Sequence, residues 1–85
     1  MPKVACFTMP GLTCWFWSSD HDPPHFHVKR DGEWEIKVHF TESDAAMIEP
    51  VWGDAPKAKI VRQLKKIVRE KRALLLAEWE AKVNP

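Results

Sequence analysis

This chain has little of several things, and each shortage narrows what it is. Cys6 and Cys14 are its only two cysteines. They form no Cys-x-x-Cys pair, which excludes the common cysteine-paired zinc framework. The first residues hold no continuous apolar stretch of the kind a secretory signal carries, and no later run approaches a membrane span. The expected location is therefore the cytoplasm, where the two cysteines are expected as thiols rather than as a disulfide. Formal charge is only +1, so bulk electrostatics selects no partner. There is no internal repeat and no low-complexity tract. At 85 residues the chain predicts a single domain spanning 1–85. A domain of that size buries only about 60–65% of its unfolded surface, which makes for a small core. Five tryptophans and four phenylalanines compensate in part, since each buries a large apolar area.

Against this background one stretch stands out: Asp20-His21-Asp22-Pro23-Pro24-His25-Phe26-His27. It holds three of the four histidines, two carboxylates and a proline pair. The prolines push the residues before them out of the helical region, so no helix runs through it. An extended or turning segment feeding a strand is expected.

Around this motif the pattern is β-rich over 1–52. Residues 3–8 read as a short strand. Met9-Pro10-Gly11-Leu12 reads as a turn, and residues 12–17 as a second, aromatic strand. A third strand covers His25–Arg30 and a fourth Glu33–Phe40, where Trp34, Ile36, Val38 and Phe40 alternate with polar residues. A two-residue Asp31-Gly32 loop would set Val28 across from Glu35 and mix core with solvent. A three-residue loop, Asp31-Gly32-Glu33, sets Val28 opposite Ile36 and Phe26 opposite Val38, with Lys29 facing Glu35. It also brings His25, His27 and His39 to one face, which is expected to be open and to display Lys29, Lys37 and Glu35 as well. Residues 45–49 read as a weak edge strand ended by Pro50, and Val51-Trp52-Gly53 as a connector.

A long amphipathic helix is predicted over 54–83, with Asp54 as its cap and Pro56 in its first turn. Its apolar stripe runs from Ile60 through Leu64, Val68 and Leu75 to Trp79. At 1.5 Å per residue it spans about 40 Å, against about 20 Å for a six-residue strand. It must overhang the sheet or bend, and an overhanging end with Leu75, Leu76 and Trp79 would offer a partner surface or a contact between copies. The fold class is α+β: a small antiparallel sheet of three to four strands with one long C-terminal helix on one face.

Three chemistries fit the motif. His25 and His27, two apart on a strand, point the same way and can share a divalent ion such as zinc, with His39, His21, Asp20 or Asp22 completing the set. Without metal, His21, His25 and His27 can serve as general acid and base on a phosphodiester, as ribonuclease chemistry requires. Alternatively the imidazoles are solvent-facing sheet residues and the loop groups only bond backbone. On the helix, Lys57, Lys59, Arg62, Lys66 and Arg69 form a candidate RNA or DNA contact, or simply a solvated face.

The run Asp20 to Val28 resembles the signature of small bacterial proteins known as domain of unknown function 4160. The likeness continues through Gly32-Glu33-Trp34-Glu35 and ends, more loosely, at Leu74-Leu75-Leu76-Ala77-Glu78-Trp79. His39 departs from the family's pattern, which has an acidic residue there. The resemblance brings no established biochemistry that could be carried over to this chain. It implies a product of a small two-gene operon of toxin–antitoxin type, hence a protein partner encoded by a neighbouring gene.

Overall fold

The β-hairpin at the centre of the molecule has the register that the face-sorting argument demands. The structure, a computed structural model, describes residues 3–5, 7–17 and 23–83. Within it β2 (Phe26–Arg30) and β3 (Trp34–Val38) pair antiparallel, with Phe26 opposite Val38, Val28 opposite Ile36 and Lys29 opposite Glu35. The loop is the three residues Asp31, Gly32 and Glu33, with Gly32 at φ 75°. β1 (Thr13–Trp15) lies on the outer side of β2, and β4 (Ile48–Gly53) on the outer side of β3. The sheet is thus a four-stranded antiparallel meander in the order β1-β2-β3-β4. One long helix, α1 (Ala58–Lys82), covers one face. The α+β class expected from the sequence is what the chain adopts.

Phe26, Val28, Ile36 and Val38 from the sheet, with Phe16 just past β1, meet Leu64, Val68, Leu75 and Trp79 from α1 in one buried cluster. Each fully buried side chain of this kind contributes about 1.5–3 kcal/mol.

Several boundaries differ from expectation. Among the described residues of the 3–8 stretch there is no strand. Lys3 bridges Trp15 and no more, while Cys6 lies outside the described residues. β1 is three residues long rather than six. Asp44–Ala46 form a turn of 3₁₀ helix, and the edge strand begins after it, at Ile48. Pro50 sits inside β4 opposite Ile36, next to a bulge, because an edge strand tolerates a residue with no N–H to donate. Val51 to Gly53, expected as a connector, therefore belong to the sheet. Asp54 does not cap α1: its N–H bonds the Glu33 carbonyl. Lys57 stands at the cap without a side-chain hydrogen bond.

The helix bends rather than overhangs. A straight helix of 25 residues would be about 38 Å long, against a longest molecular extent of 33 Å. The break falls at Lys71, at φ −114° and ψ 16°. No proline or glycine lies there. The next residue, Arg72, donates to the carbonyls of Phe40 at 2.6 Å and Glu42 at 3.3 Å, which fastens the helix to the β3–β4 connection. Beyond it, Glu78 accepts from the Ala5 N–H, and Lys82 donates to the Lys3 carbonyl and to Glu78. Leu75 and Trp79, expected on a projecting end, are buried.

Gly53 closes β4 at φ 83°. A Cβ there would lie 2.2 Å from the Glu33 carbonyl oxygen, whereas one on Gly32 would meet open space. Both positions favour glycine by about 1–2 kcal/mol on backbone grounds. Gly53→Ala should therefore lower unfolding stability in urea clearly more than Gly32→Ala. Equal losses would show that the Glu33 carbonyl does not crowd this position.

Candidate functional site

Alternation along β2 puts Phe26 and Val28 under the helix and sends His27 to the opposite side. There β1 supplies its cover. Trp15 pairs with His27 across the ladder, and the two rings stack at 5.3 Å and 18°. Trp17 meets the same imidazole edge-on at 6.2 Å. Lys29 lies over the Trp15 ring at 5.5 Å, with Asp31 at 3.4 Å. On the other flank Glu35 places Oε2 3.7 Å from Nδ1 of His27.

His25 precedes β2 at the end of the sheet. Its Nδ1 donates to the Pro23 carbonyl at 2.8 Å, so the first proline of the pair holds this ring in place. The ring lies 5.2 Å from His27, 5.4 Å from His39 and 5.6 Å from Trp79. His39, just past β3, brings Nε2 within 2.9 Å of Glu49 Oε1 on β4. Its Nδ1, like the indole N–H of Trp15, is buried with no hydrogen-bond partner among the described residues.

The three imidazoles expected to share a face do come together, as a row with His25 in the middle and a carboxylate at each end. The expected openness is wrong. His25 and His27 are only 6% and 4% exposed, because Trp15 and Trp17 roof one ring and Trp79 backs the other. The reading of these histidines as solvent-facing sheet residues fails for the same reason. Asp20, His21 and Asp22 lie outside the described residues. Among the described residues, no three His, Cys, Asp or Glu side chains gather as a metal-ligand set.

Sequence reasoning missed Glu35 and Glu49 as partners of the row, and Trp15, Trp17 and Trp79 as its cover. The signal for the first two tryptophans was present: two apart on one strand, they share a face, and pairing with β2 brings that face beside His27. For Trp79, on the distant helix, no local signal existed.

The His39 hydrogen bond holds the Glu49 carboxyl below the usual carboxylate range; its slight burial opposes this and the charge of Lys37 adds to it. Cys14 is a buried free thiol whose burial pushes its pKa up to about 11, so it is a poor nucleophile. It borders a cavity of about 190 Å³ lined also by Val4, Phe7, Thr8, Leu12 and Thr13, and no histidine lines that cavity. The basic side chains named on the helix stand on its exposed side, where Arg69 pairs with Asp44.

A small antiparallel meander covered by one helix, with a roofed histidine row at its end, defines the class of domain. The model of the family described as a domain of unknown function, DUF4160, matches residues 11–80, and the chain belongs to that family. No curated protein and no solved structure matches it.

A depressed carboxyl stabilises the fold above its unfolded pKa and stops doing so as pH falls through its folded one. Wild type should therefore lose more thermal stability than Glu49→Gln between pH 6 and pH 3. Parallel Tm curves would mean that the His39–Glu49 bond has no weight in solution.

Proposed function

We propose that this chain is the partner-binding member of a two-gene pair of toxin–antitoxin type, and that its partner is a small protein docking on α1 beyond Lys71. One observation supports this reading above others. The outward side of that half-helix is apolar: Ala73, Leu74, Leu76, Ala77 and Ala81 are all exposed, and Leu74 is 59% exposed. Glu80 is the one charged residue among them. The outward side of a solvated helix is ordinarily charged, and exposed apolar strips of this kind are where helices meet partners. This surface replaces the one first expected, since Leu75 and Trp79 face inward.

Co-expression with the neighbouring gene product should yield a stable complex. Leu74→Asp with Leu76→Asp should weaken it at least tenfold while leaving the free chain folded, because surface substitutions away from packed features change stability by only about 0.5 kcal/mol. A wild-type chain that never co-purifies removes the reading. A complex indifferent to both substitutions removes this docking site, and a homodimer broken by them would make the partner a second copy.

The histidine row favours a second reading, a small ribonuclease or metal-dependent hydrolase using His21, His25 and His27. Adjacent imidazoles can divide the roles of base and acid on a phosphodiester. Nδ1 of His25 donates to the Pro23 carbonyl, as the second ring nitrogen of a metal-ligating histidine commonly does, so a divalent ion such as zinc would draw on His25 and His27, with His39, His21 or Asp20 completing the set. Pure protein would then degrade RNA, with or without added metal, and His25→Ala with His27→Ala would abolish it. Undiminished cleavage in that variant assigns the activity elsewhere. Metal well below one equivalent in tag-free protein rules out a resident ion.

A further inference from the structure

The near-zero net charge conceals a strong segregation. Residues 57–72 hold eight of the thirteen basic residues and, in Glu70, one of the twelve acidic ones. That stretch carries +7, and the rest of the chain −6. Helical spacing puts Lys59, Arg62, Lys66 and Arg69 on one side of α1, with Lys57 and Lys65 flanking. Arg69 is held by Asp44. Lys57, Lys59, Arg62, Lys65 and Lys66 make no ion pair or side-chain hydrogen bond among the described residues.

Stability alone does not ask for this arrangement. Cations in the first turns oppose the helix dipole, and like charges three and four apart repel. The first turn contains no acidic residue, although Asp or Glu would be favoured there. A solvated face would mix signs, as the remainder of the chain does. The uncompensated charge matches a polyanion.

We infer that the outer side of the first half of α1 binds the phosphate backbone of duplex nucleic acid. A lipid surface is disfavoured, because the apolar side a membrane would take up, Leu64 and Val68, is buried against the sheet. An acidic protein is disfavoured because the stripe offers no apolar or aromatic anchor for the desolvated centre of a protein interface. Single strands are disfavoured because no aromatic ring lies in the stripe for bases to stack on. From Lys59 to Arg69 the helix rises about 15 Å, which spans about four phosphates of one strand at 3.4 Å each. No base-reading group accompanies the cations, so binding follows charge and not sequence. This inference is independent of the partner reading, which rests on the other half of the helix.

The test is fluorescence anisotropy of the full chain, without partner, on labelled 20-base-pair DNA and RNA duplexes and on phosphatidylserine vesicles. Four contacts predict a log–log salt slope of about −3.6, hence about a hundredfold loss of affinity between 50 and 200 mM salt. Lys59→Gln with Arg62→Gln and Lys66→Gln should weaken binding more than tenfold and flatten the slope, with helix content unchanged by circular dichroism. Arg30→Gln with Lys37→Gln, on the sheet, should leave binding intact. The inference is overturned if neither duplex binds at 50 mM salt, if the triple variant binds like wild type, or if vesicles are preferred to duplexes.

Discussion

The pairing of Val28 with Ile36 is the constraint from which the rest follows. Strand side chains alternate with a period of two, so a slip of one residue would exchange the two faces of β2 and β3. In the register adopted, Phe26, Val28, Ile36 and Val38 form the floor on which α1 packs. The same step turns His27, Lys29, Glu35 and Lys37 the other way. β1 then joins with Cys14 opposite Val28 and Trp15 opposite His27, which carries the sorting outward to a third strand. The core under the helix and the histidine row at the sheet end are two consequences of one alignment.

Burial gives the row its character. An imidazole carries two polar nitrogens, and taking them from water is costly unless they are bonded. Pro23 meets Nδ1 of His25, and Glu49 meets Nε2 of His39. Indoles cover the rings of His27 and His25. Three tryptophans spent around two histidines is a large share of the aromatic complement of so small a chain. It makes the sheet end a largely desolvated site, with His25 and His27 buried and a carboxylate beside each end of the row.

The helix divides at Lys71 into halves with different outer surfaces. Before the break it is cationic outside and aliphatic beneath. After it, aliphatic residues appear on both sides, since Leu75 and Trp79 are buried while Leu74 and Leu76 are not. Arg72 stands at the boundary, anchored to the carbonyls of Phe40 and Glu42. The bend lets the second half cross toward β1 and the N-terminal segment, where Glu78 and Lys82 secure it. The one element thus carries two outer surfaces of different chemistry, cationic before Lys71 and aliphatic after it.

Local pattern was enough for the hairpin register, the three-residue loop, the α+β class and the meeting of His25, His27 and His39. Each rests on alternation between neighbours in sequence, and that signal is strong where one face is buried. The family was legible too, and its model matches residues 11–80. The edge strand runs through Pro50 rather than stopping at it; whether a strand tolerates proline depends on what lies beside its outer edge, which no local pattern records. The fate of the histidines was likewise decided in three dimensions. Trp79 meets His25 from the half of α1 beyond the break at Lys71, and Arg72 beside that break bonds carbonyls about thirty residues back. Periodicity showed which side of each element is apolar, while only the packed chain could decide what covers it.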